Sequence, residues 1–259
     1  MRRQISRTLK FIALVIASLV ISACITEGDV KGGQPAFDQK KLSDNSAERA
    51  VSYIKLNQLE TAEDILKQAL KKSPRHSTLN YTKALLKLRL GENKQAEKYF
   101  RTAIRTDSTN SRAAHDYGFY LCGQGKHAEG IKMFDLAISN PLFQERSLSQ
   151  LRAGECIFKQ DIDSAERYFL DAYDGNKNLS IALFRLAELY FTRKDTLKAR
   201  AFYQRYASVQ SDTAASLYLA YQIEKIAGSE NEATIHRTAL LKKFPGSTEA
   251  KQVRIKYKN

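Results

Sequence analysis

The sequence predicts an all-α protein built from repeated antiparallel helix pairs. Two observations lead to this prediction: small and aromatic residues recur at a fixed spacing, and helix-breaking residues are rare. The chain has 259 residues, with 4 prolines, 12 glycines and no tryptophan. Because proline and glycine are the residues least compatible with helix interiors, this composition favours a helical protein of one domain.

The fixed spacing is clearest at small residues. One column of small residues recurs every 34 or 35 residues, at Ala62, Ala96, Gly130, Ala165, Ala199 and Ala233. A second column stands twelve residues earlier, at Ala50, Ala84, Gly118, Ala153 and Ala187. We expect both columns to lie where the axes of two paired helices come closest, since no larger side chain fits there.

Large side chains follow the first column at a spacing of four residues. They are Leu66, Phe100, Phe134, Phe169 and Tyr203. An offset of four keeps them on the same helical face as the small residues, where they fill the wider gap beside the close approach. A 34-residue period of helix pairs is the signature of tetratricopeptide repeats. The sequence therefore predicts a TPR solenoid of six antiparallel helix pairs.

The six repeats occupy residues 43–245, and the sixth departs most from the pattern. Tyr221 replaces its small residue, and Arg237 stands at the position of the aromatic residue. Solenoids need a polar cap over their last exposed face. Residues 246–259 place Ala250, Val253 and Tyr257 on one face and are predicted to form a capping helix.

The first 23 residues have the three parts of a secretory signal peptide. Four basic residues within the first ten precede an apolar run that is too short to span a bilayer, and small residues follow it. The string Ile21-Ser22-Ala23-Cys24 resembles the bacterial lipobox, which implies that Cys24 is lipidated. In enterobacterial-type sorting, an Asp directly after the lipidated cysteine retains a lipoprotein at the inner membrane. Ile25 occupies this position, so the signal implies sorting to the outer membrane, with the domain lipid-anchored on the periplasmic face. An uncleaved anchor with a chance cysteine is the alternative.

Residues 24–42 are predicted to be a flexible, lipid-anchored tether, because they are polar and contain paired glycines and a proline. The whole chain carries a formal charge of +14, and removal of the four basic residues of the signal peptide leaves about +10. The basic residues alternate with acidic ones. They fit either a solvated surface or attraction to anionic lipid or an acidic partner. Nucleic acid is not expected, since no binding motif is present.

We expect neither catalysis, a cofactor nor a metal site. No two of the four histidines have the spacing of a metal-binding pair, and the stretch 123–127 lacks the first glycine and the Ser/Thr of a phosphate loop. Cys122 and Cys156 occupy nearly the same position in adjacent repeats. Helix axes pack about 8–10 Å apart, whereas a disulfide needs Cα atoms within about 7 Å. Free thiols are therefore favoured over a disulfide.

The first helix of each repeat is predicted to line a concave groove, and its face is apolar with a few polar points. Such a groove suits an amphipathic helix or an extended peptide from a partner protein. The alternative is that these side chains are buried against the protein itself. The predicted groove residues are Tyr81, Leu85, Leu88, Arg112, His115, Phe119, Cys122, Gln150, Ile157, Phe184, Glu188, Phe191, Tyr218 and Gln222.

Several stretches resemble the type IV pilus biogenesis and stability lipoproteins known as PilF or PilW. They are residues 107–112, the group Tyr117, Gly118, Tyr120 and Leu121, and residues 140–147 and 240–247. The resemblance implies a pilotin-like scaffold that helps the outer-membrane secretin to localise and form multimers, with the secretin subunit as its partner. Another periplasmic TPR lipoprotein, acting in β-barrel assembly or in the regulation of peptidoglycan synthesis, is the alternative.

Overall fold

The computed structural model describes residues 36–256, and within them the side chains of residues 38–255. The predicted signal peptide, the predicted lipidation site Cys24 and the first part of the tether lie outside the described residues. Between residues 36 and 256, no helix is both long enough and apolar enough to cross a membrane.

The described chain is helical throughout, and the helices from Lys41 onward form one compact unit. Thirteen helices form six consecutive pairs and a final single helix within residues 36–256. They are α1 (Ala36–Lys55), α2 (Leu59–Lys72), α3 (Ser77–Arg89), α4 (Asn93–Thr106), α5 (Ser111–Gly123), α6 (His127–Ile138), α7 (Arg146–Ile157), α8 (Ile162–Gly175), α9 (Ser180–Thr192), α10 (Thr196–Val209), α11 (Ala214–Ile226), α12 (Glu230–Lys243) and α13 (Thr248–Lys256).

The first helix begins earlier than the sequence analysis predicted. Residues 24–42 were predicted to be a flexible tether, but α1 starts at Ala36, so residues 36–42 are helical. No glycine or proline occurs between Ala36 and Pro74, and Asp38 in the first turn is favourable at the positive end of the helix dipole. The stretch that can serve as a tether is therefore shorter than predicted.

The three predicted residue columns form the interior of the solenoid. The small residues of both columns are fully buried in repeats two to five, and so are Leu66, Phe100, Phe134 and Phe169. Gly118 shows how tight the approach is, because a Cβ added there would lie 3.0 Å from the backbone oxygen of Gly130 and 3.1 Å from the Phe134 ring. The columns thus mark the helix crossings, as predicted.

The turns inside five of the six repeats share one geometry, and the turn of repeat four, after Ile157, is the exception. The second residue after the end of the first helix takes a positive φ, at Asn57, Gly91, Gly125, Lys194 and Gly228. The following backbone N–H then bonds back five residues, as from Glu92 to the Lys87 oxygen at 2.8 Å. This is the Schellman closure of a helix C-terminus, which reverses the chain within a few residues.

The sixth repeat packs differently, as its divergent residues suggested. Tyr221 is only 5% exposed, and it forms a cluster with Leu217, Ala233 and Leu240 and with the α13 residues Ala250 and Val253. Arg237, at the position of the aromatic residue, is half-buried. The capping helix α13 therefore supplies part of the apolar contact that an aromatic residue provides in the earlier repeats.

The prediction of free thiols at Cys122 and Cys156 is wrong, because the two residues form a disulfide. Their Cα atoms are 5.6 Å apart, well inside the range for a bridge. The mean axis spacing of packed helices misled the prediction, since both cysteines lie at the ends of α5 and α7, where these first helices approach each other. Gly130 provides the space, because a Cβ added there would overlap the Cys122 sulfur. Beside the bridge, His127 Nδ1 lies 3.6 Å from Cys156 Sγ.

Candidate partner-binding face

The odd-numbered helices form one face of the solenoid, which we call the inner face, and the even-numbered helices form the outer face. Adjacent odd-numbered helices contact one another directly, α5 with α7 and α9 with α11. The disulfide between α5 and α7 shows how close this approach is. The predicted groove residues all lie on odd-numbered helices and hence on the inner face.

One set of predicted groove residues is not accessible. Tyr81, His115, Gln150 and Phe184 recur at intervals of 34 or 35 residues, and each is no more than 8% exposed. The expectation that they line an open groove is wrong. Their side chains are buried by the protein itself: the Tyr81 hydroxyl donates to Asp116 Oδ2 of the following repeat at 2.6 Å, and the Phe184 ring packs against Tyr206 of its own repeat. The alternative of burial against the protein itself holds for this set.

His115 illustrates the chemistry of these junctions. Its Nδ1 lies 2.7 Å from the Ser149 hydroxyl oxygen, and its ring meets the edge of Phe134 with centroids 5.7 Å apart. Burial lowers the pKa of His115 below its usual value, although the nearby carboxylates of Asp116 and Glu145 act in the opposite direction. The imidazole is therefore held in its neutral form and acts as a packing and hydrogen-bonding group.

A second set of predicted residues does form an accessible surface. Leu85 and Leu88 are half-buried, and Phe119 is 58% exposed, which is unusual for a phenylalanine. Together with Asp116 and Tyr120 they line a recess of about 380 Å³ between α3 and α5. We call Leu85, Leu88 and Phe119 the inner apolar patch.

The remaining apolar groove residues continue the inner face away from this recess. Ile157 and Phe191 are half-buried and pack against the core of repeats four and five. Tyr218 is half-buried and stacks on Tyr221 with ring centroids 6.3 Å apart. Cys122 is occupied by the disulfide, and Gln222 is half-buried. The accessible apolar surface is therefore concentrated in repeats two and three.

Beside the apolar patch runs a ladder of charged side chains, most of which the sequence analysis missed. Arg152 lies over the Phe119 ring, 5.6 Å from its centroid, and pairs with Glu155 at 2.7 Å. Arg185 pairs with Glu155 at 2.8 Å and with the predicted groove residue Glu188 at 2.7 Å. The pKa of Arg185 is raised, because bonds to Glu188 and Glu155 outweigh the opposing effect of burial. The i, i+3 Arg–Glu spacing on α7 and α9 was the available signal.

The last predicted groove residue, Arg112, is exposed and paired. Its guanidinium lies 2.5 Å from Glu145 Oε1 and 6.0 Å from the centroid of the Phe143 ring. Such a pair at the rim contributes little to stability, since exposed ion pairs are worth about 0–1 kcal/mol. A ligand carboxylate could replace Glu145 at Arg112 without creating an unpaired buried charge.

The inner face thus combines an exposed aromatic side chain, a small apolar recess and paired guanidinium and carboxylate groups. Exposed aromatic residues flanked by arginines are typical of protein-binding hot spots. An extended or helical peptide could place an apolar side chain in the recess and bond to the ladder.

Comparison with known proteins agrees with this architecture. Residues 53–116 and 157–221 match tetratricopeptide-repeat families. The type IV pilus assembly protein PilF of Pseudomonas aeruginosa is 23% identical over 243 residues, which cover 93% of this chain and 96% of PilF. The chain is a tetratricopeptide-repeat homologue of PilF.

Solved structures agree with the sequence match. The PilF structure superimposes with a TM-score of 0.73 at 23% identity, covering 85% of this chain and 99% of PilF. PilW, described as a widely conserved type IV pilus biogenesis factor, superimposes with a TM-score of 0.70 at 25% identity and covers 82% of this chain and 97% of PilW. The similarity to PilF and PilW therefore extends over the whole series of repeats.

Proposed function

We propose that this protein is a scaffold for type IV pilus assembly. Homology to PilF along almost the entire chain carries this proposal, because the shared region includes all six helix pairs and not one generic repeat. The inner face supplies a means of action, since it presents accessible apolar and charged groups suited to binding a peptide. The same match favours pilus assembly over the alternatives of β-barrel assembly and peptidoglycan regulation.

The finer role that we propose is that of a pilotin-like outer-membrane lipoprotein. Lipidation at Cys24 would hold the protein on the periplasmic face, and several acyl chains, at about 0.8 kcal/mol per buried CH₂, give a stable tether. The solenoid would then bind a segment of the secretin subunit and assist its localisation and multimerisation. The resemblance of the signal region to a lipobox and the homology to PilF support this role.

Deletion of the gene tests the pilus role. We expect loss of surface pili and of secretin multimers in the outer membrane, and restoration of both by the wild-type gene but not by the Cys24→Ser variant. Mass spectrometry of the mature protein should find diacylglycerol on Cys24. Normal pili and normal secretin multimers in the deletion strain would disprove the pilus proposal, whereas an unmodified Cys24 would disprove only the anchor.

A paired substitution tests the inner apolar patch. Phe119→Asp with Leu85→Asp places charge in the recess and should abolish binding to the secretin subunit while helical content is retained. The matched control is Leu197→Asp with Ile235→Asp, because these residues are 79% and 65% exposed and lie on the even-numbered helices α10 and α12 of the outer face. Equal binding by both variants would contradict the assignment of the patch.

A further inference from the structure

The outer face carries a concentration of positive charge on a single helix. Helix α4 has Lys94, Lys98, Arg101 and Arg105 at spacings of four, three and four residues, which places all four on one side of the helix over about 16 Å. Its only acidic residue is Glu97. Helix α8, of equal length, contains instead four acidic residues and one arginine.

The charge on α4 is mostly not neutralised. Arg101 pairs with Glu97 at 2.7 Å and with Glu129 at 3.3 Å. Lys94, Lys98 and Arg105 are exposed and have no ion pair among the described residues. Helix α10 also has three basic residues, but two of them form ion pairs, Arg200 with Glu224 and Lys198 with Asp195. Helix α2 also has three exposed lysines without an ion pair among the described residues, Lys67, Lys71 and Lys72, but it carries three acidic residues as well. Helix α4 therefore differs from the other outer helices in combining three unpaired basic residues with a single acidic one.

The stripe borders a recess with an apolar floor. The recess lies between α4 and α6, has a volume of about 780 Å³, and is floored by Ile104, Met133 and Tyr117. Tyr117 is 4% exposed, and its hydroxyl has no hydrogen-bond partner in the described part of the chain. A neighbouring recess of about 550 Å³ is lined by Arg105, Arg75 and Thr106 and extends the positive surface toward repeat one.

We propose that this cationic recess of α4 docks onto an anionic phospholipid surface. Lipid phosphates would bond to Lys94, Lys98 and Arg105, and the glycerol and first acyl carbons would enter the apolar floor. Clusters of basic residues on an amphipathic helix are the usual recognition element for anionic lipid. The charges follow an outer helix and not an enclosed cleft, so a broad surface can reach all of them at once. This inference uses the outer face and stands apart from the partner proposed for the inner face.

Vesicle binding tests the proposal. The probe protein is the mature chain carrying Cys24→Ser, so that no lipid chain contributes. We expect it to co-sediment with vesicles containing phosphatidylglycerol but not with neutral phosphatidylcholine vesicles, and binding should weaken as salt rises. Lys94→Glu with Lys98→Glu and Arg105→Glu should weaken binding by at least roughly 100-fold, because each basic residue near an anionic bilayer contributes a factor of about five and the introduced carboxylates add repulsion.

A matched variant separates the recess from net charge. Arg205→Glu with Lys242→Glu and Lys251→Glu makes the same charge change at exposed positions of α10, α12 and α13 and should weaken binding less than about threefold. The neutral set Lys94→Gln, Lys98→Gln and Arg105→Gln repeats the test without introducing acid. Circular dichroism confirms that each variant is folded.

Three outcomes would overturn the proposal. One is no binding to phosphatidylglycerol vesicles, and another is equal loss of binding in the recess and control variants. The third is displacement of the protein by inorganic phosphate or by an acidic peptide at constant ionic strength, since the recess would then serve a free anion or a protein. If the recess variant lost vesicle binding but still supported pilus assembly, the function proposed for the inner face would be unaffected.

Discussion

The junction between repeats three and four and the sixth repeat are built from similar helix pairs but are held together differently. At the junction, Phe134 is fully buried, His115 reaches Ser149 of the next repeat, and the Cys122–Cys156 disulfide joins the inner helices covalently. In the sixth repeat, a half-buried arginine replaces the aromatic residue, and the packing depends on α13.

This difference matters because a solenoid is stabilised by nearest-neighbour contacts. Each repeat contributes its own stability and that of its two interfaces, so equivalent substitutions need not have equivalent effects. The centre of the chain is expected to be the most stable part, and the sixth repeat the part that opens first. Four predictions test this difference.

Truncation of the aromatic column should have the largest effect. Phe134→Ala removes a fully buried ring and should lower the free energy of unfolding by roughly 3–5 kcal/mol. The equivalent change in the sixth repeat, Arg237→Ala, should cost about 1 kcal/mol or less. Urea unfolding followed by circular dichroism measures both values. Similar losses in the two variants would contradict the contrast between the repeats.

Removal of the disulfide should cause the second-largest loss in the free energy of unfolding. The bridge closes a loop with a sequence separation of 34 residues, for which restriction of the unfolded chain contributes about 2–4 kcal/mol. Cys122→Ala with Cys156→Ala should therefore lower the free energy of unfolding by that amount. The wild-type protein in the presence of a dithiol reductant is the control, and it should lose a similar amount. If the urea midpoint of the wild-type protein were the same with and without reductant, the disulfide would contribute nothing to the free energy of unfolding.

Replacement of Gly130 by alanine, the residue found at the other positions of its column, should lower the free energy of unfolding. A Cβ at Gly130 would overlap the Cys122 sulfur and lie 3.1 Å from the Gly118 oxygen, so Gly130→Ala should cost roughly 1–3 kcal/mol through overpacking. In the Cys122→Ala, Cys156→Ala background the sulfur is absent and most of this cost should vanish. Equal costs in both backgrounds, measured as a double-mutant cycle, would show that the backbone contact dominates.

The sequence predicted the repeats well because their interior depends on short-range spacing. The position of Ala96 relative to Phe100 is set by helix geometry alone, so a fixed column suffices to identify the packed face. The disulfide could not be predicted with the same certainty, since the separation of Cys122 and Cys156 depends on how one repeat rotates against the next. Gly130, which departs from the alanine of its column, was the signal that space had been made beside Cys122.

The inner face was predicted only in part, because the exposure of its residues also depends on how one repeat rotates against the next. Tyr81 and Phe119 both lie on the inner side of a first helix, but one is 8% exposed and the other 58% exposed. The angle between repeats decides which of these two columns faces the junction and which faces solvent. The charged ladder was missed because the contact of Arg185 with Glu155 spans two repeats, and sequence periodicity does not show which partner a long side chain will choose.

The smallest effect should appear as a pH dependence of stability. Burial lowers the pKa of His115 at the junction, where Asp116, Glu145, Arg112 and Arg152 are the surrounding charges. In the unfolded chain the imidazole takes up a proton near its ordinary pKa of about 6.5, whereas in the folded protein it resists protonation. Protons therefore favour unfolding, and stability should be lost as pH falls from about 6.5 toward the lowered pKa, by at most about 1.4 kcal/mol per pH unit.

Burial also lowers the pKa of His236 in the sixth repeat, but this residue is half-buried and faces the carboxylates of Glu224, Asp212 and Glu232. His115→Gln should therefore flatten the pH dependence of the unfolding free energy between about pH 7.5 and pH 5.5 more than His236→Gln does. Urea titrations at several pH values provide the measurement. If His236→Gln flattened the pH dependence more than His115→Gln, the sixth repeat would be more tightly packed than the junction between repeats three and four. The expected order of local stability would then be reversed.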